Sequence, residues 1–272
     1  GRSLTINTLT NNAEIVVNPT SAAGTTRLRA PGTQTLDGTG IVTLNALSPP
    51  ETRARLEAGT GANLFTFAIG QTLRGSGSVS GRVSFEGTIA PGIASTTGRI
   101  IFENSPIFTT GGVLAIDLAS APLFDSITIK QPYTLGGVLR VALLGGFNPV
   151  GPNLCTIIDG DPAATRTGGF DAFDLPPVPP SPIPRVWRLN YQPQDVTLRL
   201  TCKADFNADG LVDDTDFQYF TVAYDELVCP SSPNPSFPNQ PDPCPADLNA
   251  DDVVNDDDFV LFAAAYNQIL CQ

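Results

Sequence analysis

Two 28-residue segments near the C-terminus, CKADFNADGLVDDTDFQYFTVAYDELVC (202–229) and CPADLNADDVVNDDDFVLFAAAYNQILC (244–271), align without a gap at an offset of 42 and are identical at half of their positions. Whatever one copy folds into, the other must fold into as well. Each copy opens on a loop of alternating acids and amides and continues as an apolar, aromatic run. In the first copy Phe217, Phe220 and Tyr224 recur at spacings of three and four, which predicts a short helix with those rings on one face. Between the copies, PSSPNPSFPNQPDPCP (230–245) holds seven prolines in sixteen residues, so the linker is not helical.

The duplication also carries the charge. Residues 203–272 contain 14 Asp and Glu and a single Lys (Lys203), a balance of −13, while residues 1–202 balance at +1. Seventy residues at −13 repel themselves unless something neutralises them, and a divalent cation suits that role. Nucleic acid is a poor partner for such a chain. No apolar run is long enough to span a bilayer as a helix, so no membrane insertion by a helix is expected. The chain opens on GRSLTINTLT without an export signal and is read as a mature form or a fragment.

Cys202, Cys229, Cys244 and Cys271 bracket the two copies, and the first and last cysteine of each copy are equally spaced. That phasing suggests one disulfide per copy in an oxidising compartment, although three connectivities are open. Cys155, in the apolar run NLCTII, is expected to be a buried small hydrophobe.

Residues 1–200 have a different character. LTINTLT, AEIVVN, TTRLRA, GIVTLNAL, RARLEAG, NLFTFAI, GRVSFEGTI and GRIIFEN are short strand-like runs separated by Gly, Asn, Pro and Ser turns. Within them QTLDGTG (34–40) and QTLRGSG (71–77) repeat at an offset of 37. Short strands repeating at a coarse period argue for a stacked coil, with an ordinary β-sandwich as the rival. GSGSVSGRVSFEGTIAPG (75–92) is similar to the rungs of right-handed parallel β-helices in secreted adhesins and autotransporter passengers. GGVLAIDL, FDSITI, YTLGGVLRVAL, GFNPVGPNLCTII, GGFDAF and WRLNY resemble the segment that closes such helices, and LPPVPPSPIP (175–184) reads as a surface loop. The expected fold is mainly β: a right-handed parallel β-helix over 1–200, then a small α-helical domain over 201–272.

Each acidic loop spaces its oxygens as a hard cation such as calcium requires, with side chains at positions one, three, five, nine and twelve and a carbonyl at seven. The first supplies Asp205, Asn207, Asp209, the carbonyl of Leu211, Asp213 and Asp216, with Gly210 at the sharp turn. The second supplies Asp247, Asn249, Asp251, the carbonyl of Val253, Asn255 and Asp258. There Asp252 replaces the glycine and Asn255 a carboxylate, so the second site is expected to be weaker. Asp at position twelve, with a helix only after the loop, resembles dockerin repeats, the paired calcium loops at the C-termini of secreted bacterial proteins. The resemblance covers 202–272 and implies these ligand roles. Two features depart from it: the proline-rich linker, and Asp214–Thr215 and Asp256–Asp257 where cellulosomal dockerins often carry a partner-reading Ser/Thr pair. Both argue against a cohesin as the first choice of partner.

The chain contains no histidine, which removes the usual general base and His-ligated zinc. Acids such as Asp37, Glu57, Glu86, Glu103 and Asp125 are scattered, and GTG and GSG lack the Lys–Ser/Thr of a phosphate loop. The sequence therefore reads as a non-enzymatic, secreted or cell-surface structural protein. It binds two calcium ions and assembles as a homo-oligomer or homopolymeric fibre. Its rivals are a cellulosome-like component that docks to a cohesin and binds or cuts polysaccharide, and a passive adhesin that binds surface polysaccharide.

Overall fold

A computed structural model describes residues 2–7, 9–19, 24–46, 51–59, 61–149, 153–180, 184–226, 240–242 and 244–268. Two compact units emerge. The first takes residues 1–147, 156–176 and 191–196, and the second takes 148–155, 177–190 and 197–272. The second unit thus draws on more than the acidic C-terminal region.

The first unit is a parallel β-solenoid of about five turns. Its strands stack in three parallel ladders. One runs from Arg2–Thr5 through Thr26–Ala30 and Ala54–Ala58 to Arg99–Phe102 and Ser126–Ile129. The second begins at Leu9–Thr10 and Gln34–Asp37 and ends at Arg166–Gly168. The third begins at Glu14–Val17 and Ile41–Asn45 and ends at Ala172–Asp174. The nine-residue strand Thr72–Ser80 belongs to two ladders, because Thr72–Ser76 faces Ile41–Asn45 while Ser78–Ser80 faces Arg55–Glu57.

Alternation along each strand sends one set of side chains inward. Leu28, Leu56, Val79, Phe102 and Ile129 stand opposite one another in successive rungs of the first ladder, and all are buried. An aromatic column crosses the core: Phe67 stacks on Phe85 at 5.1 Å, with Phe65 and Phe102 edge-on at 5.3 and 5.7 Å. The segments expected to close the solenoid mostly extend it. Val113–Leu118 and Val138–Leu143 are parallel rungs of the third ladder, and Ile127–Ile129 pairs in parallel with Ile158–Gly160.

The repeat of QTLDGTG and QTLRGSG turns out to be no rung period. Gln34 stands opposite Phe65, and Thr72 stands opposite Ile41, so the two copies occupy different ladders. What they share is local. Gln34 donates its side-chain amide to the carbonyl of Ile6 at 3.2 Å, and Gln71 donates to those of Asn11 and Asp37 at 2.7 and 2.8 Å. Each glutamine satisfies backbone carbonyls at a corner where no ladder can. Four residues later Gly38 and Gly75 both hold φ near +98°. The repeat is a corner device used twice. The rungs themselves are unequal: Arg55 stands opposite Ser78 across a short turn of the coil, and Ile127 opposite Ile158 across a longer one.

One carboxylate in the solenoid is buried. Asp125, 1% exposed, accepts N–H bonds from Gly98 and Asp117 at 2.7 and 3.0 Å. Burial pushes its carboxyl up to about 7, against those two donors. Asp117 beside it is raised by its own partial burial. A folded-state value above the ordinary 3.8 means the stabilisation is present below that value and is lost as pH rises through about 7. The solenoid is therefore expected to melt at a lower temperature at about pH 8 than at about pH 5, with Asp125→Asn flattening the difference. Circular dichroism melts across that range check this, and a wild-type melt insensitive to pH would refute it.

Candidate metal centre

In the second unit the strand Val196–Cys202 leads directly into the first acidic loop, and helix α1 (Asp214–Glu226) follows it. The second loop is followed by helix α2 (Asp256–Tyr266). The helices start where the carboxylates at position twelve cap them. Asn255 accepts from the N–H of Asp257, and Asp258 reaches back to the N–H of Asn255, a reciprocal capping pair. Asp213 and Asp216 make the same bonds to Thr215 and Asp213.

The duplication is reproduced in most of its side-chain-to-backbone bonds. Asp216 Oδ1 accepts from Phe206 and Asn207 N–H at 2.7 and 3.2 Å, and Asp258 Oδ1 accepts from Leu248 and Asn249 N–H at 2.7 and 3.1 Å. Asp205 accepts from Asp209 and Gly210 at 3.1 and 2.9 Å, and Asp247 from Asp251 and Asp252 at 3.1 and 2.9 Å. Asn207 and Asn249 accept from the N–H two residues on, and Asp209 and Asp251 do the same from Leu211 and Val253. Asp205, Asp216, Asp247 and Asp258 are buried, while Asp209 and Asp251 are exposed at the loop mouth.

In the second loop Asp247, Asp251 and Asp258 each present a carboxylate oxygen within 4.8 Å of the others. Oxygens bound to one calcium ion lie ~2.3–2.6 Å from it, so no two can be farther apart than about 5 Å. The spacing fits one hard cation, and an all-oxygen donor set without His or Cys does not suit zinc. Among the described residues this close grouping is found at the second loop; in the first, Asp205 Oδ2 also accepts the hydroxyl of Thr201. Burial raises the carboxyl of Asp205 against the Thr201 and Gly210 donors, and pushes Asp216 up to about 7 against three backbone N–H groups. Charge packed that way is unfavourable without a counter-ion.

At the sixth position Gly210 holds φ of +95°, and Asp252 holds the same left-handed region at +68°. The duplicated loop keeps its turn even where the side chain disfavours it. Left-handed backbone costs a non-glycine residue roughly 1–2 kcal/mol. Asp252→Gly is therefore expected to raise the stability of the second unit by about 1 kcal/mol. Denaturant unfolding would read it, and an unchanged midpoint would count against the strain.

Several partners were not legible from loop spacing. Tyr266 OH donates to Asp214 Oδ1 at 2.5 Å, and Tyr224 OH donates to Asp256 Oδ1, so each helix end is tied to the start of the other. The duplication held the signal, since both tyrosines and both aspartates recur at the same offset of 42. Arg188 is fully buried, with Nη2 bonded to the Lys203 carbonyl at 2.6 Å, its guanidinium 5.3 Å from the Phe206 ring, and Nε and Nη1 without partners. Desolvation lowers its pKa, while the carboxylates of Asp242, Asp205 and Asp216 oppose that. Gln240, from the proline-rich stretch, exchanges both amide bonds with the backbone of Leu189 at 2.6 and 3.1 Å.

The core beneath both loops joins Phe206, Phe220, Leu248 and Phe262, with Phe206 and Phe262 stacked at 5.9 Å and Phe220 and Phe262 at 5.1 Å. Phe217, expected on the same face as Phe220, is 39% exposed instead. Three residues turn a helix by less than a full turn, which leaves Phe217 at the rim of the buried stripe. Cys155 is free and buried, and burial pushes its thiol up to about 11. Cys229, Cys271 and residues 230–239 of the linker lie outside the described residues.

No family model matches the chain, and no curated protein matches it.

Proposed function

We propose that this chain is a secreted, calcium-binding structural protein, with a β-solenoid body and a dockerin-like end module that calcium and disulfides rigidify. The observation that carries this is the trio Asp247, Asp251 and Asp258, whose oxygens lie within the span of one calcium ion. The first loop repeats the same hydrogen bonds and supplies the second ion's ligands: Asp205, Asn207, Asp209, the carbonyl of Leu211, Asp213 and Asp216. In the second loop Asn249, Asn255 and the carbonyl of Val253 complete the set. One disulfide per copy, as the equal cysteine spacing suggests, would suit an oxidising compartment outside the cytoplasm. Assembly would proceed through the body, a stack of parallel rungs each of which contacts its neighbours along the axis. Calorimetric titration tests the calcium assignment: two ions binding below millimolar is the expected result, and no heat in that range would end it. Electron micrographs with and without chelator test assembly, and monodisperse monomers in both would end the fibre.

A second reading has an observation of its own. Val222, Phe259, Val260 and Leu261 on α1 and α2 are 43–64% exposed, large apolar side chains left in water on two short helices. It favours a cohesin-like protein partner docking on the helices. Pull-down against cohesins distinguishes the two.

A further inference from the structure

We infer that the solenoid carries a binding groove for a linear oligosaccharide. This is independent of the calcium proposal, because the groove lies wholly in the first unit. It follows the corner where the chain leaves the first ladder and has a volume of about 1030 Å³. Corners of five successive rungs line it: Pro31 and Gly32 on the first, then Ala58, Gly81, Asn104 and Gln131, which follow one another in the register of the first ladder, with Arg82 next to Gly81. Neighbouring rungs stand about 4.8 Å apart, so five corners in line make a straight trough of roughly 20 Å. The volume is at the upper end of the ~300–1,000 Å³ range of small-molecule pockets, which suits a chain of several units.

The chemistry of the walls narrows the occupant. Asn63, Asn104, Gln131, Ser80 and Ser105 present hydroxyl and amide groups that both donate and accept, as the hydroxyls of a sugar require. Asn104 Oδ1 accepts the N–H of Gly81 at 2.7 Å, which fixes its amide at the trough's edge. Nucleic acid would need an excess of cations. Here Arg29 is tied to Glu57 at 2.8 Å, leaving Arg82 as the lining cation without an ion-pair partner among the described residues. A peptide strand would need an unpaired sheet edge, and the rungs beside this corner are paired in their ladders. Glu57, the lining carboxylate, is held by both Arg27 and Arg29 at 2.8 Å, so the groove is built to bind and not to cleave. Its lining holds no aromatic platform, so single-chain binding is weak, and repeated copies of the groove would add avidity.

The test is calorimetric titration of the full chain with two probes, cellohexaose and a hexamer of galacturonic acid. Binding of either supports the proposal, and a preference for the acidic hexamer shows that Arg82 is read. Gln131→Ala combined with Arg82→Ala is expected to weaken binding about tenfold, the equivalent of one or two lost hydrogen bonds. Ser105→Trp, at an exposed position, should block the trough while leaving the circular dichroism spectrum unchanged. Binding should be the same in calcium-free buffer, since acidic sugars could otherwise be held through calcium in the loops. No heat with either probe at millimolar concentration, or binding undiminished by Ser105→Trp, would overturn the groove.

Discussion

Excess chelator is expected to unfold the second unit of the calcium-loaded protein well below the melting temperature of the solenoid. A ligand at a hundredfold excess over its dissociation constant stabilises the folded state by ~2.7 kcal/mol, and two filled loops double that. The unit has little else to spare. Its core is a handful of rings over two short helices, and residues 203–272 carry a balance of −13. Without a cation, Asp205 and Asp216 sit buried with raised pKa values and Arg188 as a nearby counter-charge. The reporters separate cleanly. Trp187, the sole tryptophan, is 4% exposed and belongs to the second unit, so its fluorescence follows that unit. Far-ultraviolet dichroism is dominated by the strands of the solenoid. Asp258→Ala should mimic the chelator even in calcium, because it also strands the N–H groups of Leu248, Asn249 and Asn255. Each unpaired donor costs ~1–3 kcal/mol. A tryptophan transition unmoved by chelator would sink the calcium proposal, whatever Asp258→Ala did.

The turns and helix starts of the loops were legible because acids and amides at alternate positions followed by a twelfth-position aspartate make side-chain-to-backbone turns and cap a helix, so pattern, turn and helix start coincide. The non-glycine Asp252 was visible too, as a departure from the glycine of the first loop, and the structure gives it the backbone that departure strains. Arg188 was not legible. Nothing local in RVWRLNY says that this arginine is the buried one, because its burial follows from Phe206 and Lys203 coming from elsewhere in the chain. The solenoid was legible as a class, while its rung length was not. Rungs of unequal length blur any sequence repeat, and the repeat that does stand out serves corners and not rungs. For the same reason the groove was invisible. Arg82, Asn104 and Gln131 share no motif and meet only because three corners of unequal spacing are stacked.

Gly75→Ala is expected to cost the solenoid more than any other single-methyl change, because two independent penalties fall on one atom. The residue holds φ of +98° in mid-strand, a conformation that costs a side-chain-bearing residue about 1–3 kcal/mol. Its Cβ would also lie 2.1 Å from the carbonyl oxygen of Leu44 in the rung below, well inside van der Waals contact. Relieving that clash means parting Leu44 from Gly75 in the ladder, at the point where Thr72–Ser80 passes from one sheet to the next. Gly61 supplies the comparison. Its φ is +69° and nothing lies within 4 Å of a Cβ built there, so Gly61→Ala carries only the backbone penalty of about 1 kcal/mol. Unfolding midpoints in denaturant should rank wild type, Gly61→Ala and Gly75→Ala in that order, with Gly75→Ala lower by at least ~3 kcal/mol. Equal midpoints for the two variants would mean that the rungs yield at this corner and that close packing of Gly75 on Leu44 does not hold the stack. A solenoid contacts only its neighbours along the axis, so a fault at one corner propagates to both ladders that the shared strand joins.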